Sequence, residues 1–574
     1  MEINYRKNNN KELFEIINKN DLLDIEHPQN YFPLYNNFFN LNSNNYNAIN
    51  LNNKYRLELI SEKINYNRFL GTLTDICNNK CIKEVFIKFS PIVDPIKYMI
   101  GKYDTSYNML ELPKFIDSNN IDNETDYINK YKKILDPNNS AYIDGFFSFL
   151  SSCLLNHYNF YNGLDYYGAF LGIKNKFKYN VTEDLEYLNE SDHFHKYKNT
   201  LFVFDNNEKI ANLFNNTKKY KKPLELDKNS SILNDYDLDI CNIDESIEPD
   251  KSSIIELTYE NLDFLVSEKK TSSNLCNTCN NETNNSDECS SRSSNTNLTK
   301  SSEDSEEYDE ESSNNSNDDD EEEIFCYIDK FPVKMIILES CENTLDDYII
   351  SKKIKDDEWE SIVLQILFTL ITYQKVFEFT HNDLHTNNIV YVSTEKKYLY
   401  YKYDNTHYKI PTFGKIYKII DFGRAIYKFK NKFICSDSYS DSGDATTQYN
   451  CEPYLNKNKP IIGPNYSFDL CRLGCSLFDY FIDDLDDIKK LKSPIKKIII
   501  EWVFDDNNKN ILYKNNGSER YPDFKLYKMI ARAVHKHTPQ EVLKKSLFDN
   551  YKIAKKKINN THEIFNIDNL PCMV

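Results

Sequence analysis

The sequence is poor in the residues that interrupt regular structure and in the patterns that direct proteins to membranes. Only 12 glycines and 17 prolines occur among 574 residues, so turn signals are few. No run of about 20 apolar residues is present, and we therefore expect no membrane span. The N-terminus is polar and lacks the apolar stretch of a signal peptide, which predicts a cytoplasmic protein whose 14 cysteines are reduced.

Positive charge is scarce relative to negative charge. The formal net charge is −19, whereas nucleic-acid-binding proteins usually present a basic face, so we expect no nucleic-acid partner. The excess is concentrated in one tract, because residues 303–323 contain 13 acidic side chains and no basic one. The rest of the chain has a charge that is ordinary for a large enzyme.

The acidic tract belongs to a longer segment, about 225–324, that has few apolar groups. Such a composition cannot bury enough surface to offset chain entropy, so we predict a disordered insert. It is either a solvated spacer or a regulatory acidic segment. It also contains Cys276, Cys279 and Cys289, but no fourth ligand follows this CxxC pattern, which favours stray cysteines over a zinc site.

Outside this insert, several segments have the patterns of regular structure. Runs rich in β-branched and aromatic residues predict strands at 85–89, 200–205, 333–338 and 415–422. Apolar residues at helical spacing or in long buried runs predict helices at 141–158, 357–378 and 467–482. Strands thus dominate the first part and helices the last, an order that predicts an α+β protein.

The segment HNDLHTNNI at 381–389 carries the first chemical motif. It places an acid, Asp383, and an amide, Asn388, five residues apart on one loop between a predicted helix and an apolar strand. The carboxylate can orient an attacking hydroxyl, and the amide oxygen can bind a Mg²⁺ that also holds phosphates. The alternative is an ordinary turn in an asparagine-rich chain.

The segment KIIDFGRA carries the second motif and strengthens the first. Asp421 lies at the end of a predicted strand, 38 residues after Asp383, where a carboxylate can bind Mg²⁺ bridging nucleotide phosphates. Gly423 is expected to permit the sharp turn after this strand. A DFG triplet alone is weak, but DFG after a β-rich run and 38 residues beyond the first motif predicts a Mg·ATP site.

With both motifs in place, the sequence resembles the eukaryotic-type protein kinase family. HNDLH and the composition are similar to kinases of giant DNA viruses, and more distantly to haspin; a viral protein would act in the host cytoplasm or the virion. The resemblance implies a bilobal kinase-like fold with a β-rich N-lobe, a mainly helical C-lobe and large insertions. The implied divisions are an N-terminal extension at 1–60, the N-lobe at 61–224 with an insertion at about 91–140, the insert at 225–324, the last N-lobe strand and hinge at 325–345, and the C-lobe at 346–574.

The resemblance also assigns nucleotide-binding residues. Lys88 in VFIK is similar to the strand lysine that pairs with the α- and β-phosphates of ATP. Leu338 would be the gatekeeper, and the backbone from Glu339 to Cys341 would meet the adenine. The phosphate-covering loop is poorly matched, because the segment RFLGTLTD offers only Gly71.

Other positions match the family less closely. Asp144 is the best candidate for the acid that pairs with the strand lysine, although the family has glutamate there. Asp469 and His381 would support the catalytic loop from inside. Asn382 stands where many kinases have an arginine that binds a phosphorylated loop, so we expect constitutive activity. His385 replaces a lysine, and no clear APE triplet is present after the DFG motif.

These observations favour a Mg²⁺-dependent protein kinase that transfers the γ-phosphate of ATP to protein hydroxyls, with serine or threonine expected before tyrosine. Asp383, Asn388 and Lys88 would be catalytic, with Asn388 and Asp421 as metal ligands. Two alternatives stay open: a weak pseudokinase that acts as a scaffold, and a small-molecule phosphotransferase with a kinase-like fold.

Overall fold

The computed structural model describes residues 4–7, 10–19, 22–103, 110–117, 124–204, 323–558 and 562–574. Contacts divide the chain into two compact units, Met1–Ile210 with Cys289–Val574, and Ala211–Glu288. The second unit and all but the last two residues of the predicted acidic insert, including its cysteines, lie outside the described residues. The elements and sites below all belong to the first unit.

The described residues of this unit form twenty strands and thirteen α-helices. The strands are β1 (Tyr5–Lys7), β2 (Ile25–Gln29), β3 (Ile49–Leu51), β4 (Tyr55–Lys63), β5 (Arg68–Asp75), β6 (Lys80–Pro91), β7 (Tyr166–Lys174), β8 (Phe177–Asn180), β9 (Phe202–Phe204), β10 (Phe325–Ile328), β11 (Phe331–Glu339), β12 (Asn343–Thr344), β13 (Ile389–Ser393), β14 (Tyr398–Tyr403), β15 (Thr406–Pro411), β16 (Lys415–Ile419), β17 (Ile426–Phe429), β18 (Lys432–Cys435), β19 (Lys552–Ile553) and β20 (Ile564–Asn566). The helices are α1 (Lys11–Lys19), α2 (Pro95–Met99), α3 (Thr125–Lys130), α4 (Lys132–Leu135), α5 (Ser140–Tyr158), α6 (Leu185–Asn189), α7 (Asp192–Tyr197), α8 (Leu345–Ser351), α9 (Asp356–Phe377), α10 (Phe468–Phe481), α11 (Pro494–Glu501), α12 (Lys525–Ala533) and α13 (Pro539–Leu543). The prediction of an α+β protein is confirmed.

A six-stranded antiparallel sheet in the order β2-β7-β11-β6-β5-β4 organises the first part of the chain. Alternate residues of β6 such as Val85, Ile87 and Phe89 are buried, as expected for a strand with one face on a core. Helix α5 packs against β7 and β11. The predicted strand at 85–89 and helix at 141–158 are therefore confirmed, whereas the predicted boundary at residue 60 falls inside β4.

Helix α9 is the centre of the second part of the chain. It packs on β15, β16, β17, α11 and α13, and nearly all of its length is buried. Three acidic residues in its first turn complement the helix dipole, and Glu378 ends the helix in the left-handed conformation at φ +48°. The predicted helices at 357–378 and 467–482 correspond to α9 and α10 and are confirmed. None of the described helices is long and apolar enough to cross a membrane.

The segment from 91 to 140 contains α2, α3 and α4 and contacts the chain beyond Asp421. Asp437, which is 4% exposed, accepts a hydrogen bond from the backbone of Ser140 at 3.1 Å and pairs with Lys133 at 2.5 Å. Its own backbone N–H donates to the carbonyl of Asn138 at 2.8 Å. Because Ser140 is the first residue of α5, this aspartate ties the start of α5 to a distant part of the chain.

Lys334 on β11 is buried, and no carboxylate of the described residues forms an ion pair with it. It is 4% exposed, and its Nζ donates to the carbonyl of Tyr142 at 3.1 Å and lies 4.7 Å from the ring centre of Phe32. Burial lowers the pKa of Lys334 to about 7 from the ordinary value of 10.5. The folded protein therefore holds a lysine that loses its proton near neutral pH.

We predict that Lys334→Met stabilises the protein at pH 7. Between pH 7 and 10.5 the unfolded lysine binds a proton and the folded one does not, so the native stability rises with pH across this window and is lowest at its acid end. The free energy of unfolding should increase by about 2–4 kcal/mol at pH 7, with a smaller gain at pH 9.5. Urea unfolding at both pH values measures this, with the exposed Lys330→Met as control; an equal gain at both pH values would contradict the explanation.

Candidate functional site

Lys88 on β6 is brought together with two carboxylates from distant parts of the chain. Its Nζ lies 2.7 Å from Oδ2 of Asp144 on α5 and 2.8 Å from Oδ1 of Asp421. Lys88 and Asp144 are 5% and 3% exposed, and the other oxygen of Asp144 accepts the backbone N–H of Phe422 at 2.9 Å. Buried charges require such partners, so this cluster fixes the strand, the helix and the turn relative to each other.

Two carboxylates share this one ammonium group, which leaves an excess of negative charge. Burial alone would lower the pKa of Lys88, but Asp144 and Asp421 outweigh it and hold that pKa above its usual value. Burial, with Asp144 nearby, raises the pKa of Asp421 despite the attraction of Lys88. An additional positive charge, such as a proton or a cation, would therefore be stabilised at this cluster.

The turn at Asp421 differs in detail from the prediction. Asp421 itself adopts the left-handed conformation, with φ +63°, whereas Gly423 does not. β16 ends at Ile419, so the predicted strand at 415–422 stops before the turn. Aspartate tolerates left-handed backbone better than most residues, and the sharp change of direction therefore occurs at the acid and not at the glycine.

Asp383 and Asn388 lie on the loop that joins α9 to β13. The amide Nδ2 of Asn388 donates to the backbone carbonyl of Asp383 at 2.9 Å and lies 3.0 Å from Nε2 of His385. These contacts occupy the amide nitrogen and leave the amide oxygen as the ligand atom of this side chain. Burial lowers the pKa of His385 to about 4, so its imidazole is neutral at pH 7 and supplies no charge in place of a lysine.

Asp469 at the start of α10 supports this loop from inside. It is fully buried, and its two oxygens accept the backbone N–H groups of His381 at 2.9 Å and Asn382 at 2.8 Å. Asn382 has φ +65°, so these bonds hold the loop in a left-handed conformation. The Nε2 of His381 donates to the carbonyl of Ile420 at 2.8 Å, linking the loop to the strand end before Asp421.

We predict that Asp469→Ala destabilises the protein, because Asp469 has a structural role and bonds only the backbone of the loop. Two buried N–H groups would lose their acceptor, at a cost of about 3 kcal/mol in the free energy of unfolding. Asp479→Ala is the matched control, since Asp479 lies on the same helix and its carboxylate bonds the partly exposed Tyr513. Chemical denaturation measures the free energy of unfolding of both variants. Equal decreases for Asp469→Ala and Asp479→Ala would show that the loop does not depend on Asp469.

Asp383 is enclosed by three side chains that the sequence patterns did not indicate. It is 3% exposed, and its Oδ1 accepts a hydrogen bond from the hydroxyl of Tyr527 at 2.7 Å. Arg424 lies 3.7 Å from Oδ2 and Arg472 lies 3.9 Å from Oδ1. Burial would raise the pKa of Asp383, but the positive charges of Arg424 and Arg472, with the hydrogen bond from Tyr527, hold it well below its usual range.

The other predicted nucleotide-binding groups lie near the end of β11. Leu338 is 6% exposed, and the N–H of Glu339 donates to the carbonyl of Asp165 at 3.0 Å. The carbonyl of Cys341 already accepts a hydrogen bond from the guanidinium of Arg68 at 2.5 Å. A base that approached these groups would therefore meet Arg68, a residue that was not predicted.

Gly71 lies inside β5 and not in a loop. It pairs with Lys83 on β6, and a Cβ built on it would lie 3.0 Å from the side chain of Leu57. The turn that joins β4 to β5 comprises residues 64–67 and contains no glycine. The predicted phosphate-covering loop at Gly71 thus does not match the structure, because the backbone there is extended and paired on both sides.

A cavity of about 620 Å³ adjoins the charged cluster. Lys88, Asp144, Asp383, Asp421 and Arg424 are among its lining residues. The cavity lining thus includes Lys88, Asp383 and Asp421 of the predicted catalytic, nucleotide-binding and metal-binding residues. It does not include Asn388, Gly71 or the predicted adenine-binding residues at the end of β11. Within the described ranges, no group of three or more His, Cys, Asp or Glu side chains is arranged to hold a metal ion.

A donor set of one carboxylate and one amide oxygen still fits a particular kind of metal. Mg²⁺ prefers oxygen ligands and commonly takes only one or two from protein, with water and phosphate oxygens completing its shell. Asp421 offers a carboxylate in a cluster with excess negative charge, and Asn388 offers an amide oxygen. Both residue types are therefore compatible with Mg²⁺ held jointly with a phosphorylated ligand.

Comparison with known proteins gives one local likeness to a kinase. No protein-family model matches the chain. The chain is 36% identical over 90 residues to a probable serine/threonine-protein kinase of Dictyostelium discoideum. The matched region is 15% of this chain and 7% of that protein, so the chain spans only a small part of the relative's length. This likeness relates a segment of the chain to kinases and says nothing of substrate or metal.

Proposed function

We propose that the chain is a protein-kinase-like phosphotransferase that moves the γ-phosphate of ATP to a protein hydroxyl. The observation that carries the proposal is the convergence of Lys88, Asp144 and Asp421 in a cavity that Asp383 also lines. The local likeness to a probable serine/threonine-protein kinase supports it. In this proposal the fold is bilobal, with the six-stranded sheet and α5 in one lobe and α9 and α10 in the other.

The residues would divide the reaction between them. Lys88 would pair with phosphate oxygens of ATP, and the backbone from Glu339 to Cys341 would contact the base, with Leu338 behind it. Asp421 and Asn388 would hold Mg²⁺, which when bound neutralises charge on the phosphates.

Asp383 would orient the acceptor hydroxyl. With its pKa held low, it stays ionised at neutral pH and ready to accept a hydrogen bond from that hydroxyl. The protein thus contributes position and charge and forms no covalent intermediate.

The test is transfer of label from γ-labelled ATP with Mg²⁺ to the chain itself and to generic basic, acidic and tyrosine-containing proteins. Label on protein that requires intact Asp383 supports a protein kinase, and the labelled residue type decides between serine or threonine and tyrosine. Label on small molecules alone would favour the small-molecule phosphotransferase. If no label is transferred and Mg·ATP does not raise the melting temperature, the proposal fails.

A second candidate is a pseudokinase that binds nucleotide without transferring phosphate. It is favoured by the enclosure of Asp383, which is 3% exposed and already bonded to Tyr527. The same experiment separates the two, because a pseudokinase would be stabilised by nucleotide and yet leave no label on any acceptor.

A further inference from the structure

Tyr527 on α12 makes two hydrogen bonds at the centre of the site. Its hydroxyl donates to Oδ1 of Asp383 at 2.7 Å and accepts from Nε of Arg472 at 2.9 Å. The centre of its ring also lies 5.4 Å from the guanidinium carbon of Arg424 and 5.2 Å from that of Arg472. A side-chain hydroxyl of the same chain therefore bonds the carboxylate that an acceptor hydroxyl would need.

Side chains of the same protein surround the carboxylate of Asp383, although the residue also lines the cavity. The residue is 3% exposed, and both of its oxygens have a positively charged neighbour within 4 Å, Arg424 on one side and Arg472 on the other. Tyr527 covers the oxygen on the Arg472 side. An acceptor that donates a hydrogen bond to Oδ1 therefore competes with Tyr527 for this oxygen.

Helix α12 packs on a hydrophobic core, but only its C-terminal part is fully buried; Leu526, Tyr527 and Met529 are partly buried against the same core. It has nine residues, and of these only Ile530 and Ala531 are buried. Tyr527 itself is only partly buried and stacks on Phe524, which precedes the helix. Partly buried side chains move at lower cost than fully buried ones, so Tyr527 can leave Asp383 while Ile530 and Ala531 stay in the core.

We propose that Tyr527 is an intramolecular stand-in for the acceptor, which occupies Oδ1 of Asp383 until the tyrosine side chain moves away. The inference rests on the proposed function. In the reaction after displacement, the acceptor oxygen bonds to the γ-phosphorus as the bond to the β,γ-bridging oxygen breaks. ADP leaves with that oxygen, and the hydroxyl proton passes by way of Asp383 to solvent. Access to Oδ1 of Asp383 is thus set by the position of the Tyr527 side chain.

The test compares Tyr527→Phe with the wild type, both as full chains, in transfer to a generic protein acceptor and in hydrolysis of Mg·ATP, where water is the acceptor. Losing one hydrogen bond to a charged group should raise both rates by roughly tenfold and leave the KM for ATP unchanged. Tyr527→Ala should raise transfer further because it also clears the ring. Tyr513→Phe is the control, since its hydroxyl bonds Asp479 away from the site, and its rates should equal those of the wild type.

If the rates of protein transfer and of ATP hydrolysis fall or do not change in Tyr527→Phe, the inference is overturned. A fall in kcat with an unchanged KM would in that case identify Tyr527 as a residue that positions Asp383. Circular dichroism and melting curves establish that each variant is folded. Adding Asp383→Asn to the wild type and to Tyr527→Phe separates the inference from its premise. Rates that depend on Asp383 but do not rise in Tyr527→Phe overturn only the inference; rates that do not depend on Asp383 overturn the proposed function and the inference with it.

Discussion

Replacing Asp383 with asparagine is expected to lower the rate of phosphoryl transfer by about 10²–10⁴-fold, because the amide cannot accept the acceptor's proton and orients the hydroxyl poorly. The substitution keeps the shape of the side chain, so we expect Mg·ATP to raise the melting temperature of this variant by as much as that of the wild type. The measurement is transfer from γ-labelled ATP together with the thermal shift. A rate reduced less than about threefold would remove Asp383 from the proposed mechanism.

The control for this variant must also replace a carboxylate, at a position close to α10 but outside the site. Asp479→Asn does so on α10, where the side chain contacts Tyr513 away from the charged cluster. Its transfer rate should match that of the wild type. If both variants lose activity equally, the loss reflects a general sensitivity of α10 and its neighbours and not the chemistry at Asp383.

Replacing Lys88 with methionine is expected to damage both stability and activity. The substitution leaves Asp144 and Asp421 facing each other without the ammonium, and breaking a buried ion pair on one side costs about 3–5 kcal/mol. Removing a positioned charge from the phosphates should also lower transfer by about 10²-fold or more. Denaturant unfolding and the labelled-ATP assay measure the two effects.

A second substitution separates these two effects of Lys88. In Lys88→Met with Asp144→Asn, one of the two unpaired carboxylates becomes neutral, so part of the lost stability should return while transfer stays low. Recovery of transfer together with stability would mean that Lys88 acts only through folding. If Lys88→Met alone left the free energy of unfolding unchanged, that result would contradict the observed arrangement of the cluster.

The parts of the fold that the sequence predicts are those in which the pattern is local. β6, α5, α9 and α10 follow from alternation, helical spacing or a long apolar run within one segment, and each end of the three helices lies within one residue of its predicted position. Asp144 could be proposed as the partner of Lys88 because the family resemblance implies a helix acid that pairs with the strand lysine, and Asp144 is the best acid available on the predicted helix.

The groups around Asp383 could not be predicted in this way. Tyr527 lies 144 residues beyond Asp383 on a short helix, and one tyrosine among 43 carries no local sign that its hydroxyl is bonded to a carboxylate. Arg424 directly after the DFG motif is a stronger signal, because a cation so close in sequence to one site aspartate can also reach another. Gly71 is a different case, because only the family resemblance and no local pattern suggested a phosphate-covering loop there, and the residue lies inside β5.

The contact between Asp437 and the first residue of α5 has a thermodynamic consequence for the 91–140 segment. Asp437 joins Lys133 of that segment to Ser140, and Asp144 lies one turn later on the same helix. Any ligand that binds Asp421 more tightly when Asp144 is in place must, by reciprocity, also favour the docked state of this segment. Protection of its backbone amides from hydrogen exchange would then increase with nucleotide concentration, and shortening the segment would weaken nucleotide affinity by the same coupling free energy.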